Sequence, residues 1–123
     1  MNRARPVNLN LMTIRFPLPA IVSILHRVSG VILFLFIPIG LWVLDYSLTP
    51  DGFEAMHDWQ ANFFAKFIIW AVLAAFLYHF VAGIRHLLMD VHIGTTLQGA
   101  RLSAKLVFIF SIVLIILAGI WLW

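Results

Sequence analysis

The chain has 123 residues, of which 63% are hydrophobic and 11% are charged, with a formal net charge of +3 and no cysteine. An average soluble domain has about 25% charged residues, and one of this length has no interior large enough for so much apolar surface. A soluble enzyme, a nucleic-acid-binding module and a disordered tail are therefore poor fits, and the composition predicts a small integral membrane protein.

Three apolar runs without Asp, Glu, Lys or Arg occupy residues 28–44, 67–84 and 106–123. Apolar side chains fill every face of each run, which favours helices over the alternating strands of a membrane barrel. Each run can extend into its flanking sequence to reach the length that a spanning helix needs. The sequence thus predicts an all-α membrane protein with three transmembrane helices in one membrane-anchor domain, 1–123. The spans are predicted at about residues 19–46, 63–85 and 103–123.

The predicted spans are joined by two short connections. Thr49-Pro50-Asp51-Gly52 in the first connection is typical of a turn or of the start of a helix. Gly94-Thr95-Thr96 and Gly99 in the second predict a polar loop. His57 and His92 lie in these connections, and we expect both to be ordinary solvated residues.

Charged residues are distributed unequally between the two sides of the predicted membrane. Seven of the eight Lys and Arg residues lie on one side, whereas Lys66 and four of the five acids lie on the other. By the positive-inside rule, the N-terminus is cytoplasmic and the C-terminus periplasmic, in a multi-pass protein of a bacterial inner membrane. The seven basic residues are Arg3, Arg5, Arg15, Arg27, Arg85, Arg101 and Lys105, and the four acids are Asp45, Asp51, Glu54 and Asp58.

A first polar cluster lies near the start of the first span. Ser23, His26, Arg27 and Gly30 follow the spacing i, i+3, i+4 and i+7, so they share one helix face. In one interpretation, Arg27 extends to the lipid headgroups and Ser23 bonds to its own backbone. In the other, the hydroxyl, imidazole and guanidinium form a pocket for an anion, a carbonyl or a carboxylate.

A second polar cluster lies towards the end of the second span. His79 is about 9 Å deeper in the membrane than Arg85, at 1.5 Å per helical residue, so its imidazole must face protein, water or a ligand. One possibility is that the imidazole bonds to a neighbouring helix. The other is that it coordinates a bulky planar ligand such as haem, for which small neighbours leave room. The cluster comprises Tyr78, His79, Gly83, Arg85, His86 and Asp90; the small residues are Ala75, Ala82 and Gly83, and Asp90 is expected to pair with Arg85 or His86.

If haem is bound, its second axial ligand is expected from another chain. His79 and His86 lie about 10.5 Å apart along one face of one helix, so they cannot approach one iron from opposite sides. His26 is possible in principle, but it lies at the membrane edge whereas His79 is deeper. A histidine of a partner subunit fits better. His26, Arg27 and His86 would then lie where the haem propionates emerge, and a guanidinium is a strong partner for a carboxylate.

These motifs resemble the cytochrome b556 subunit family of bacterial succinate dehydrogenase, and the resemblance covers nearly the whole chain. Ser23-x-x-His26-Arg27-x-Ser29-Gly30 is fairly specific, and its pairing with His79-x(3)-Gly83-x-Arg85-His86 is more so. The other matching stretches are Arg5-Pro6-Val7-Asn8-Leu9, Thr13-Ile14-Arg15-Phe16-Pro17, Tyr78 before His79, and Asp90.

The resemblance implies a role for each cluster. Ser23 and Arg27 match positions that bind ubiquinone, the substrate to be reduced. His79 matches the axial ligand of the haem b iron from this subunit. His26 and Arg27 match positions near the haem propionates, and His86 matches a position close to the haem.

The resemblance also implies partners in addition to membrane lipid. A second membrane-anchor subunit supplies the other axial histidine, and two soluble subunits dock on the cytoplasmic face. The flavoprotein subunit carries FAD and oxidises succinate, and the iron–sulfur subunit passes on the electrons. Two alternatives stay open: an anchor of fumarate reductase that uses menaquinone, and a structural tether that binds no cofactor.

Overall fold

The computed structural model describes residues 7–123. This part of the chain forms four helices and no strand. Three of the helices are long and apolar enough to cross a membrane, which confirms the predicted all-helical fold with three candidate spans. Arg3, Arg5 and the Arg5-Pro6 start of the first matching stretch lie outside the described residues. The helices are α1 (Leu18–Ser47), α2 (Pro50–Gln60), α3 (Phe63–Asp90) and α4 (Leu97–Leu122).

The first connection contains an 11-residue helix, α2. The Thr49 hydroxyl caps it by accepting from the Gly52 amide at 3.0 Å, and Pro50 occupies the first turn, where a missing amide hydrogen costs nothing. Only glycine fits at position 52, because a Cβ there would collide with the Tyr46 carbonyl. His57, which we expected in a loop, lies on this helix and is exposed.

Two of the three spanning helices, α3 and α4, also begin at side-chain caps. The Asn62 side chain accepts from the Phe64 amide at the start of α3, and the Thr96 hydroxyl accepts from the Gly99 amide at the start of α4. The polar connection between them is shorter than the sequence predicted, because α3 continues to Asp90 and α4 already begins at Leu97.

The middle spanning helix, α3, runs antiparallel to both α1 and α4. The hydroxyl of Tyr78, late in α3, bonds to Val22, early in α1, and Trp70, early in α3, bonds to Ile115, late in α4. The start of α1, the end of α3 and the start of α4 therefore lie at one end of the bundle. All five described basic residues of the predicted cytoplasmic side belong to this end, and Lys66 belongs to the other.

The buried core is small and consists mainly of small side chains. Val22, Ala82, Ala104 and Val107 are at most 4% exposed, and Tyr78 is 9% exposed. Most large apolar side chains of the three long helices point outwards instead. In a membrane such surfaces face lipid or other apolar helices, and the close approach of small residues supplies the packing between helices.

Candidate functional site

His79 is held by two oxygen atoms of α1. Its Nδ1 atom lies 3.0 Å from the backbone carbonyl oxygen of His26 and 3.0 Å from the Oγ atom of Ser29. The Ser29 hydroxyl in turn donates to the same carbonyl at 2.8 Å, across one turn of the helix. Ser29 is only 5% exposed, so both contacts lie away from solvent.

The proton positions in this cluster follow from the chemistry of the carbonyl. A carbonyl oxygen carries no hydrogen, so the short contact with His26 is favourable only if Nδ1 of His79 carries the proton. The Ser29 hydroxyl proton is already directed at that carbonyl, which leaves an oxygen lone pair for Nδ1–H. In the neutral imidazole the Nε2 atom is then unprotonated, and it makes no hydrogen bond with any residue of 7–123. Such a nitrogen can bind a metal.

Three imidazole rings are stacked at this site. The ring centroids of His26 and His79 are 4.1 Å apart, and their planes differ by 12°. His86 lies on the other side of His26, at 6.1 Å and 14°. His26 and His79 are half-buried and His86 is exposed, so the stack runs from inside the bundle to its surface.

Two glycines allow the stack to form between α1 and α3. A Cβ at Gly30 would lie 3.1 Å from Cε1 of His79, a tight contact, whereas one at Gly83 would lie 3.5 Å from Nε2 of His26. The sequence suggested Gly83 as room beside His79. The structure instead places Gly30 against His79 and Gly83 against His26, because His26 lies between His79 and the surface.

Tyr78 and Arg85 fix α3 against its two neighbours. The Tyr78 hydroxyl donates to the Val22 carbonyl at 2.8 Å. Arg85, which is 8% exposed, donates from Nε to the Ser103 hydroxyl at 2.9 Å and from Nη2 to the Ala100 carbonyl at 3.3 Å. His79, which follows Tyr78 in the sequence, therefore lies on a helix whose rotation and depth are fixed.

The expected pairing of Asp90 with Arg85 or His86 is wrong. Arg85 points into the contact between α3 and α4, where Ser103 and Ala100 satisfy it, and Asp90 is exposed. Within residues 7–123 the single ion pair joins His57 and Asp58, with Nδ1 3.8 Å from Oδ1, and both side chains are largely exposed.

Ser23 and Arg27 lie on α1 beside the stack but do not join its hydrogen bonds. Ser23 is half-buried and Arg27 is exposed, and neither side chain bonds to another residue of 7–123. Close to the stacked rings, the serine that donates to its own helix backbone is Ser29 rather than Ser23. The hydroxyl and the guanidinium thus stay available to a ligand or to a second protein.

Ser29 is the residue of this site that sequence reasoning missed. It lies three residues after His26 and directly before Gly30, so a helix places all three towards α3. Small hydroxyl residues are common in contacts between membrane helices, and spacing alone does not indicate which of them meets a histidine on another helix.

Comparisons with known proteins identify relatives along the whole chain. Residues 1–118 match the family described as succinate dehydrogenase/fumarate reductase transmembrane subunit. The chain is 42% identical to the succinate dehydrogenase cytochrome b556 subunit of Coxiella burnetii over 125 aligned positions, which cover all of both chains. It is 35% identical to the protein of the same name from Paracoccus denitrificans, over 92% of this chain and 88% of the relative. The mitochondrial succinate dehydrogenase cytochrome b560 subunit of Dictyostelium discoideum is 34% identical, over 80% of this chain and 50% of the relative.

Proposed function

Because the chain belongs to the succinate dehydrogenase/fumarate reductase transmembrane subunit family, we propose that it anchors a succinate:ubiquinone oxidoreductase in a bacterial inner membrane. In this proposal the whole chain, 1–123, is one membrane-anchor domain. It binds haem b together with a second anchor subunit and forms part of the ubiquinone-reduction site. The chain itself does not oxidise succinate.

The arrangement around His79 is the observation that carries the proposal. The imidazole of His79, in an apolar helix, has Nδ1 within 3.0 Å of two oxygens, and its Nε2 atom has no hydrogen-bond partner among residues 7–123. A haem ligand needs this arrangement, because the hydrogen bond of the second nitrogen sets the tautomer and the ring plane. Within residues 7–123 no three His, Asp or Glu side chains converge to hold a bare metal ion. One free imidazole instead suits an iron that a porphyrin already holds.

The stacked rings support a second axial ligand from another chain. Two histidines of this chain that together held a haem would need room for it between their rings. His26 and His79 lie face to face at 4.1 Å, an arrangement that cannot enclose a haem between them. His26, together with Arg27 and the exposed His86, is better placed to bind the carboxylates of the propionates at the membrane edge. The bound haem would supply a one-electron carrier at this position.

Ser23 and Arg27 are proposed to bind the head group of ubiquinone. Their polar atoms have no partner among the described residues, and they lie on α1 at the basic end of the bundle. A quinone carbonyl becomes more negative as it accepts electrons, and a nearby hydroxyl and guanidinium stabilise that charge best where water is scarce. The excess of basic residues at this end supports a cytoplasmic N-terminus and a periplasmic C-terminus.

The partners follow from the same proposal. Two soluble subunits dock at the basic end: a flavoprotein that carries FAD, and an iron–sulfur subunit that delivers electrons. The chain contains no cysteine, so it cannot hold an iron–sulfur cluster of its own. Electrons must therefore reach the quinone site from a partner.

A histidine substitution in the assembled complex tests the haem assignment. We expect His79→Ala to remove or strongly alter the b-type absorbance in a reduced-minus-oxidised spectrum, because the iron loses its ligand from this chain. His92→Ala, in the exposed turn after α3, is the matched control and should leave the spectrum unchanged. An unaltered spectrum of the His79→Ala complex would exclude the ligand role. A colourless wild-type complex would indicate a tether without cofactor.

The quinone assignment is tested by comparing two electron acceptors. We expect Ser23→Ala and Arg27→Leu to lower ubiquinone reduction by about 100-fold, the lower end of the typical cost of removing a donor to a developing charge. Succinate oxidation with an artificial dye should persist, because it does not use the membrane site. Ser47→Ala, at the opposite end of α1, is the control. Equal loss of both activities would indicate failed assembly, whereas unchanged ubiquinone reduction in an assembled complex would contradict the assignment.

A fumarate reductase anchor is the second candidate, because the family description covers both enzymes. The two functions differ in the direction of electron flow and in the quinone used. Assays of the purified complex with ubiquinone and succinate, and with menaquinol and fumarate, distinguish them. A markedly faster fumarate reduction would favour this second candidate.

A further inference from the structure

We propose that Ser29 is a positioning residue that sets the ring plane and the electron-donating strength of His79 as a haem ligand. This inference rests on the proposed function, in which Nε2 of His79 binds the iron. Ser29 does not touch the haem in this proposal. It acts through the Nδ1–H group on the far side of the imidazole ring.

The Ser29 hydroxyl lies within hydrogen-bond distance of both the His79 ring and the His26 carbonyl. Ser29 Oγ is 3.0 Å from Nδ1 of His79 and donates at 2.8 Å to the carbonyl of His26, which itself lies 3.0 Å from Nδ1. The two acceptors and the ring nitrogen thus form a closed triangle of short contacts. The triangle fixes the position of Nδ1, and Gly30 leaves Cε1 of His79 only a narrow space.

The hydroxyl of Ser29 is not needed to pack α1 against α3. Ser29 is 5% exposed in a contact between two helices, where an alanine would pack equally well. Ser111, the other buried serine, has no hydrogen-bond partner within residues 7–123, so burial of a serine does not by itself produce such a contact. At Ser29, by contrast, the proton and a lone pair of the hydroxyl both have partners.

The Ser29 oxygen also affects how strongly His79 donates electrons to the iron. An acceptor at Nδ1–H draws the proton away from the ring and makes Nε2 a stronger electron donor. A stronger donor favours ferric over ferrous iron and lowers the midpoint potential. Two acceptors do this more than one, so loss of the Ser29 oxygen should raise the potential. The His26 carbonyl remains and keeps the tautomer, so haem should still bind.

The test is a redox titration of haem b in the assembled complex purified in mild detergent. We expect Ser29→Ala to retain haem but to shift the ferric/ferrous equilibrium towards ferrous by about tenfold, which is about 59 mV upward for a one-electron couple. Ser29→Thr retains a hydroxyl on a branched side chain and should keep the potential within about threefold of the wild type in the same equilibrium. Ser47→Ala, remote from the site, should not change it.

Each outcome has a defined meaning. An unchanged or lowered potential in Ser29→Ala with full haem content would overturn the inference. Haem lost from Ser29→Ala but retained in Ser29→Thr would support a positioning role of the hydroxyl. Haem lost from both would indicate that side-chain size matters instead, and would also overturn it. If His79→Ala retains the full haem spectrum, the proposed function itself fails, whereas a negative result with Ser29→Ala alone leaves that function intact.

Discussion

The two halves of the helix bundle are held together by different kinds of contact. In the polar half, defined as residues 18–30, 78–90 and 97–107, α3 bonds to α1 through Tyr78 and His79 and to α4 through Arg85. In the apolar half, residues 33–47, 63–76 and 111–122, one hydrogen bond between helices occurs, from Nε1 of Trp70 to the Ile115 carbonyl at 2.9 Å.

The apolar half also leaves more space between its helices than the polar half, where a cavity of about 250 Å³ lies between α3 and α4. A groove of about 640 Å³ lies between α1, α2 and α3, lined almost wholly by apolar side chains. Buried polar groups are costly in a membrane, so this chain concentrates them where a ring must be held in one orientation. The apolar half can rely on packing, which tolerates gaps and substitutions better. The groove-lining residues include Leu33, Phe36, Gly40, Val43, Trp59, Val72 and Phe76.

Two glycines on α1 give the largest expected difference between the halves. A Cβ at Gly30 would lie 3.1 Å from the His79 ring, whereas one at Gly40 would meet nothing within 4 Å. Overpacking costs about 1–3 kcal/mol, so we expect Gly30→Val to displace His79 and leave less than about half of the haem in the purified complex. Gly40→Val should retain it all. The measurement is the haem-to-protein ratio from the absorbance spectrum.

The pair of variants is matched in helix and in residue type. Valine has the same intrinsic helix propensity at both positions, so any difference reports the surroundings of the side chain. Equal haem loss in the two variants would break the comparison, because it would show that the contact with His79 is not the cause of the loss at Gly30. Equal retention of haem would show that the His79 ring can move without losing the haem.

The sequence predicts the fold well because lipid imposes one strong condition. Every backbone hydrogen-bonding group must find a partner within the spanning segment, so long apolar runs indicate helices. The observed helices contain nearly all residues of the predicted spans. The short helix α2 was less predictable. Thr49-Pro50 is typical of both a turn and a helix start, and the choice depends on Gly52 fitting against Tyr46.

The site was predictable in its residue types but not in its contacts. An imidazole deep in an apolar run requires an explanation, and that condition singled out His79 from sequence alone. The partner of its Nδ1 could not be deduced, because spacing along α1 does not fix which side chain faces which on α3. The sequence predicts that Asp90 pairs with Arg85 or His86, whereas packing turns Arg85 towards Ser103.

Two serines on α4 give the next largest effect. Ser103, in the polar half, accepts from Nε of Arg85 at 2.9 Å, whereas Ser111, in the apolar half, is buried with no hydrogen-bond partner within residues 7–123. We expect Ser103→Ala to destabilise the chain by about 1 kcal/mol, because it leaves a buried charged donor unpaired. Ser111→Ala should be neutral or slightly stabilising, since it removes an unpaired hydroxyl.

The measurement for the two serines is the midpoint of an SDS titration of the chain in detergent micelles, followed by helical circular dichroism. Each variant lacks one side-chain oxygen atom of the wild type, so the two changes are of equal size. A lower midpoint for Ser111→Ala than for Ser103→Ala would show that the Arg85 contact adds nothing, and that the polar half is not held more tightly than the apolar half.

Two tyrosines provide the smallest and most stringent contrast. The Tyr78 hydroxyl is buried and donates to the Val22 carbonyl at 2.8 Å, whereas Tyr46 is 39% exposed and stacks on Trp42 with ring centroids 6.1 Å apart. Tyr78→Phe removes one hydrogen bond between helices, which in a membrane is worth about 0.6 kcal/mol on average, and the Val22 carbonyl keeps its own helix partner. We therefore expect a small decrease in the SDS midpoint for Tyr78→Phe and none for Tyr46→Phe.

Tyr78→Phe should also raise the midpoint potential of haem b slightly if Tyr78 helps to keep His79 at its depth in the membrane. A stability loss without any change in potential would confine Tyr78 to packing, and it would leave the orientation of the ring to Ser29 and the His26 carbonyl alone.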